Sequence, residues 1–408
     1  MKSVIDFHIH SRYSRACSPR LTLANIALAA ERKGVDIVAT GDFTHPAWFK
    51  SINSELEEIG DSGLYRLRKS TSRTKFILST EVSLVYREND RARRIHLVVQ
   101  APSLQAVAAL NKILGAKYNI HSDGRPILGI AAPAFIRLCL DVDPLFIIYP
   151  AHIWTPWYSV FGSKSGFDSL AECFQQETDN IFAYETGLSS DPPMNWRLSA
   201  LDNVCRLSNS DAHSLDSIGR EANVFAFHQE NYQSIYKIIK NNLKAADQNG
   251  EGIIKTIEFY PEEGTYHLDG HRHCSFSCLP EKSAGLENIC PRCGRALTIG
   301  VLNRVNVLAG RPVGFQLAGA VPYVSVVGLD KIIAGVIGVK NRQAVKVRKI
   351  YDRIIEEVGN ELFVLTEADI DRLQVIHPET AAAIARLREG KVKIEAGFDG
   401  QYGRIELL

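Results

Sequence analysis

Apolar residues along the first 230 positions follow two rhythms. Short β-branched and aromatic runs predict strands at Val4–Ile9, Val35–Thr40, Phe76–Thr80, Ile95–Val99, Phe146–His152, Ile181–Glu185, Val204–Ser208 and Asn223–Phe227. Between several of these runs the apolar positions recur at helical spacing. The clearest case is Leu23–Lys33, which stops at Gly34, a residue suited to a left-handed C-cap. Strand–helix alternation predicts an α/β fold with a parallel sheet or barrel, in which chemistry collects at the C-terminal ends of the strands. Beyond residue 250 the rhythm changes. Ile253–Tyr260 reads as a strand and Pro261–Tyr266 as a hairpin, a cysteine cluster follows, and Leu297–Ala309 and Tyr323–Glu357 read as helices. Three segments result: 1–230, 250–298 and 299–408. The longest apolar region, Val321–Val339, is broken by Asp330, Lys331 and several glycines, so it reads as soluble core and not as a membrane span. Ala396–Gly403 is turn-rich and predicts a structured loop.

Composition narrows the picture. With 45% hydrophobic and 23% charged residues in 408, the chain has material for a real core, which excludes disorder and fibres. A net charge of +1 excludes a polycation, so a nucleic-acid partner requires local basic patches. Two exist. Arg304–Arg353 holds nine basic residues against Asp330 and Asp352, and Arg66–Arg94 holds nine against Glu81, Glu88 and Asp90. Charge alone weighs nucleic-acid contact and a solvated face equally. The opening MKSVIDFHIH runs straight into two histidines without a secretory pattern, and a reducing, cytoplasmic setting is expected.

The candidate chemistry sits at the predicted strand ends. His8-Ile9-His10 closes the first strand and sends both imidazoles to one side. The second runs into Asp42-Phe43-Thr44-His45, the third ends at Glu81, the next carries His96, a later one ends at His152, and Asp211-Ala212-His213 follows the seventh. Six histidines and three carboxylates so placed predict a multinuclear metal site, and the donor set suits Zn, Mn or Fe better than Mg or Ca. His121, in the loop Asn119–Pro126, is either a polar loop residue or a substrate contact. Cys17, Cys139, Cys173 and Cys205 are scattered and read as small buried hydrophobes. Cys274-x3-Cys278-x11-Cys290-x2-Cys293 has the spacing of a closed, structural zinc site, with His271 and His273 as alternatives for one ligand. Val326–Asp330 has part of the glycine pattern of a helix–hairpin–helix turn. Arg342, Lys346, Arg348 and Lys349 follow on a helix, as a phosphate-tracking face or a solvated one.

The ordered motifs His8-Ile9-His10, Asp42/His45, Glu81, His96, His152 and Asp211-Ala212-His213 resemble those of the PHP (polymerase and histidinol phosphatase) superfamily. The resemblance implies a distorted (β/α)7 barrel carrying a metal-dependent phosphoesterase. It implies one ion on His8, His10, Glu81 and Asp211, a second sharing Glu81 with His96 and His152, and a third on His45 and His213 with Asp42. Many members carry another His or Asp five or six residues after the HxH pair. This chain has Arg15 and Ala16 there, so two or three divalent ions (Zn, Mn or Mg) are implied. The barrel, a four-cysteine zinc module and a mainly helical, basic C-terminal domain together resemble the endonuclease Q family. That likeness implies nicking of single- or double-stranded DNA on the 5′ side of hypoxanthine, uracil, xanthine or an abasic site, leaving a 3′-hydroxyl and a 5′-phosphate. Asp211 and His45 are the implied handlers of the water and its proton. Arg15, His121, Arg125 and a stacking Trp154 are implied DNA contacts beside the basic helix, and repair or replication proteins are implied partners. Two other readings stand beside this one: a PHP phosphatase or exonuclease acting on small phosphate esters or nucleotide ends, and a non-catalytic DNA-binding or partner module.

Overall fold

The structure, a computed structural model, describes residues 1–245 and 250–407. Strand Lys2–Asp6 lies at the centre of the main sheet. On one side it pairs in parallel with Ile37–Ala39, which pairs in parallel with Lys75–Glu88. On the other it pairs antiparallel with Ala222–Ala226, followed by Gly252–Glu258 and, at the edge, Tyr323–Ser325. Ile5, Phe7, Val38, Phe76, Leu78 and Phe225 are all fully buried in the core this sheet builds. A separate parallel pair, Ala183–Glu185 with Cys205–Leu207, is stitched to the main sheet by Asn223, whose amide donates to Ser208 O (2.7 Å) and Asn209 Oδ1 (2.9 Å) and accepts from Ser208 N (2.9 Å).

The mixed α/β core and the helical C-terminal region match the expectation, but the sheet is not parallel throughout. The third strand does not end at Glu81. It runs on to Glu88, turns through Asn89 and Asp90, and returns antiparallel as Arg91–Ala101, with Ser83 opposite His96. Asn89 and Asp90 both have left-handed backbone (φ 49° and 59°), the geometry of a tight two-residue hairpin, which leaves no length for a crossover helix. Three other expectations are corrected. Pro261–Glu263 is a turn of 3-10 helix, not half of a hairpin. Tyr323–Ser325 is an edge strand, because Thr256 N bonds Pro322 O and draws the segment onto the sheet. Val326–Asp330 is therefore a strand-to-helix junction, with Gly328 capping Leu329–Val336. The turn that joins two helices lies further on, before Val345–Glu357.

The helical region continues through Glu361–Thr366, Ile370–Ile376 and Pro378–Arg388. It is fastened to the barrel by Glu361. This buried carboxylate accepts from Lys33 Nζ (2.6 Å), Tyr351 Oη (2.6 Å) and Leu329 N (3.1 Å), and these partners hold it below the usual carboxylate range against the effect of burial. Arg32 pairs with Asp352 alongside. No helix among the described residues is long and apolar enough to cross a membrane.

The first helix forms as its sequence predicts. Thr22 Oγ1 accepts from Asn25 N at the start, and Gly34 (φ 91°) closes the end by donating to Ala30 O and Glu31 O. A Cβ at Gly34 would collide with the side chain of Asn360, the N-cap of Glu361–Thr366. Gly34→Ala should therefore combine left-handed strain with a displaced cap and cost about 1–3 kcal/mol. Thermal unfolding should show a lowered midpoint, with the C-terminal helices loosened first in hydrogen exchange.

Candidate functional site

The sheet and the segments that follow its strands bring His8, His10, Glu81 and Asp211 together, with one possible ligand atom from each lying within 4.8 Å of the others, and bring Glu81, His96 and His152 together in the same sense. Glu81 is common to both groups and fully buried. Its Oε1 faces His96 Nδ1 (2.7 Å) and His152 Nε2 (3.2 Å), and its Oε2 faces His10 Nε2 (3.3 Å) and His8 Nε2 (3.8 Å). The His8 and His10 rings lie 5.3 Å apart, as alternation along a strand requires. Asp42, His152 and Asp211 all have left-handed backbone (φ 47°, 28° and 46°), strain that the surrounding packing imposes at the site.

Each imidazole of the first group is held from behind by a carboxylate. His10 Nδ1 lies 3.0 Å from Asp42 Oδ1, and Asp42 Oδ2 accepts from Ser11 N (2.6 Å) and Ser14 Oγ (2.9 Å). His8 Nδ1 lies 3.0 Å from Glu185 Oε2, and Glu185 also accepts from Asn209 Nδ2 (2.9 Å) and His152 N (3.0 Å). Such contacts fix the tautomer so that the other nitrogen presents a lone pair. His8 Nε2 is that nitrogen: it is buried and has no hydrogen-bond partner, yet it points at two carboxylates. Burial alone would lower His8 and His10. The carboxylates overcome it, Glu185 and Glu81 at His8, Asp42 and Asp211 at His10, and both rings sit well above their ordinary range. Without another cation, these carboxylates draw protons onto the rings. A divalent ion satisfies the same demand, and the donor set fits two of them. His96 is pushed down to about 4, chiefly by burial, and is neutral at physiological pH.

Arg125 reaches this centre from the Asp123–Pro126 turn and places Nη1 2.9 Å from Glu81 Oε2. Asp211 is the most open carboxylate of the cluster, and Arg220 holds the backbone beneath it through Ser210 O (2.8 Å) and Asp211 O (3.2 Å). His213 stands at the mouth, its ring 4.6 Å from His10 and its Nδ1 2.8 Å from Asp211 O.

Several expected residues do other work. Among the described residues His45, His213 and Asp42 are not gathered into a third ligand group. His45 Nε2 donates to His121 O (3.0 Å) under the Tyr13 ring, and the Asp42 carboxylate is fully engaged. His121 thus contributes its carbonyl, while its own ring is exposed. Trp154 is no stacking wall. It is 1% exposed, its Nε1 bonds Asn195 Oδ1 (2.8 Å), and the tight turn from His152 O to Thr155 N folds the chain inward. Trp157, 36% exposed beside Tyr266, is the aromatic residue that reaches solvent there. Arg15 is at the rim, near Asp123. Arg342 lies in the turn before the helix and not on it, 3.7 Å from Asp330, Arg348 bonds Gln343, and Lys346 and Lys349 are exposed, so the helix face keeps free positive charge. Part of the other basic run is structural: Arg93 is buried over Phe167 and bonds Gly166 O. Glu185 is the residue that the sequence reading passed over, although it ends a predicted strand as the ligands do.

The cysteine module also departs from expectation. Its four-ligand group is His271, Cys274, Cys290 and Cys293, without Cys278. The ladder explains this. Cys278 lies opposite Asp269 and His271 opposite Phe276, so Cys278 is at the open end, two residues or about 7 Å along the strand from the turn that carries Cys274. Cys278 packs instead against Leu297 as a buried thiol. Three thiolates and one imidazole make a closed tetrahedral zinc set.

The family model described as the MJ0043 C-terminal domain matches residues 328–391, the helical region. The chain is 34% identical over 259 residues to the uncharacterized protein MJ0043 of Methanocaldococcus jannaschii, a match covering 62% of the chain and 31% of that longer protein. It is 31% identical over 427 aligned residues to the uncharacterized protein YqxK of Bacillus subtilis, covering 99% of both. Among solved structures, the lesion-specific endonuclease PfuEndoQ from Pyrococcus furiosus superposes with a TM-score of 0.87 at 31% identity, covering 100% of this chain and 96% of that one. Endonuclease Q in complex with a 27-mer duplex substrate, an abasic lesion at its active site, superposes at 0.86 and 31%, covering 100% and 97%.

Glu185→Gln should keep the fold but weaken metal binding about 10- to 100-fold, since the amide no longer anchors His8 as a carboxylate does. Metal titration followed by calorimetry measures it. In the cysteine module, His271→Ala should lose zinc while Cys278→Ser retains it. Elemental analysis of the two purified variants decides between the ligand sets.

Proposed function

The chain belongs to the endonuclease Q family, and on that premise we propose that it is a metal-dependent DNA repair endonuclease that nicks duplex DNA 5′ to a deaminated base or an abasic site. The observation that carries this reading is the shared, buried Glu81 between two histidine-rich ligand groups, with His8 Nε2 left without a partner and aimed between them. On this reading His8, His10, Glu81 and Asp211 hold one ion, and Glu81, His96 and His152 a second. Bound there, divalent ions supply Lewis-acid activation of water and neutralise charge on the scissile phosphodiester.

The chain's own residues supply position and charge. Asp42 and Glu185 lock His10 and His8. Arg125 uses one N–H on Glu81, and the rest of its guanidinium is free to take a nonbridging phosphate oxygen. Asp211, open to the mouth, orients the attacking water. His213, lowered below its ordinary range mainly by burial, is placed to accept the proton that the attacking water gives up, and the leaving 3′ oxygen takes its proton from solvent. Hydrolysis then leaves a 3′-hydroxyl and a 5′-phosphate. The exposed Lys346 and Lys349, with Arg342 and Arg348, contact backbone phosphates without reading sequence. The zinc module is structural.

A panel of end-labelled duplexes, each with one uracil, hypoxanthine, xanthine or abasic site, incubated with Mg, Mn or Zn, should be cut once on the 5′ side of the lesion and not at undamaged positions. Asp211→Asn should lower that rate by about two to four orders of magnitude with DNA affinity retained. Release of inorganic phosphate without internal nicking would reject the reading.

A further inference from the structure

Tyr402 is 83% exposed, the most exposed aromatic side chain among the described residues, and its phenol makes no hydrogen bond there. An aromatic ring in water normally marks a mobile tip, but this one stands on a fixed loop. Gly397 N bonds Glu262 O (2.8 Å), Leu268 N bonds Gly397 O (3.0 Å), Gly400 N bonds Thr265 O (2.9 Å) and Gly403 N bonds Glu263 O (3.1 Å). A Cβ at Gly403 would collide with Glu262 O, so the backbones touch directly. Asp399 adds side-chain bonds to Arg272 N (2.7 Å) and Thr298 Oγ1 (2.6 Å). The backbone that carries the ring is thus fixed, and the ring itself projects into solvent.

Chains of contact lead from the loop toward His152 on one side and toward Asp211 on the other. On one side Gly187 is pressed against His152, the next residue's carbonyl, Leu188 O, lies close to Gly264, and Gly264 O abuts Gly397. On the other, Tyr402 shares with Ser217 and Arg220 a cavity of about 790 Å³, and Arg220 is the side chain that grips Asp211 O. That volume exceeds what one nucleobase fills.

We propose that Tyr402 is the stacking residue that receives the nucleobase displaced from the duplex beside the metal centre. This rests on the endonuclease reading. A base leaving the stack loses its neighbours' π-faces, and an aromatic side chain replaces one of them irrespective of base identity. The role requires an exposed ring on a fixed loop near the scissile strand, and it does not require the hydroxyl.

The test is the affinity of the full-length protein for a duplex with a single uracil and for its undamaged counterpart, by fluorescence anisotropy, with nicking followed on the same duplexes. Tyr402→Ala should weaken binding of the uracil duplex about tenfold and leave the undamaged duplex within twofold. Tyr402→Phe should restore wild-type affinity. Thermal unfolding of both variants should match wild type, because the side chain packs against little. Equal affinities for wild type and Tyr402→Ala, or a Tyr402→Phe as weak as Tyr402→Ala, would overturn the proposal. Wild-type protein that binds the uracil duplex without nicking it would instead reject the endonuclease reading, and the affinities would still decide the role of Tyr402.

Discussion

Everything around the site depends on a single carboxylate that water does not reach. Glu81 lies inside a strand, between Thr80 and Val82, with both oxygens turned into a ring of imidazoles and one guanidinium. An ionised carboxylate in such a place survives only if cations or strong donors surround it, since its desolvation alone would neutralise it. His96 supplies a ring nitrogen at 2.7 Å, Arg125 and His8 supply positive charge, and together they hold its pKa well below the ordinary range in spite of burial. The hairpin at Asn89 and Asp90 follows from the same demand. Extending the strand past Glu81 and returning it antiparallel sets His96 two positions along and across from Glu81, on the same face.

Much of this was legible in the sequence because chemistry gathers at strand ends, and strand ends are marked by the switch from β-rich runs to Gly, Pro and polar residues. His8, His10, His152 and Asp211 were readable in this way, whereas Glu81 and His96 lie inside the paired strands Lys75–Glu88 and Arg91–Ala101 and stood out only as a carboxylate and an imidazole within apolar runs. Glu185 ends a strand too, but one acidic residue beside Thr186 and Gly187 carries no motif. Its meaning appears only when His8, 177 residues away, is brought to it. The exchange of Cys278 for His271 was open in the sequence as an alternative, but could not be decided there for a related reason. Cysteine spacing counts residues, whereas a three-residue ladder decides which of them reach the same point. Trp154 failed because a tight turn reverses the direction of a side chain without altering composition.

Charge tells a similar story at the scale of the whole chain. Two basic runs looked alike in the sequence, yet Arg93 lies within the fold while Lys346 and Lys349 project into solvent. Burial separates a guanidinium that staples loops together from an ammonium that is free to meet a polyanion, and burial is what a linear charge count does not contain.

Strand Lys2–Asp6 has a further consequence, for how the molecule comes to be. Its antiparallel partner is Ala222–Ala226, and Asp6 accepts from the backbone of Gly219, 213 positions away. On the ribosome the segment holding His8 and His10 therefore emerges long before the strand that completes its sheet. Loop closure over that span makes productive pairing late and slow, and meanwhile the central strand, covered on its other side by Ile37–Ala39, leaves one edge open. The cluster of imidazoles and carboxylates can assemble only after that edge is covered. The order of synthesis thus keeps these buried charges apart until most of the scaffold is available to enclose them.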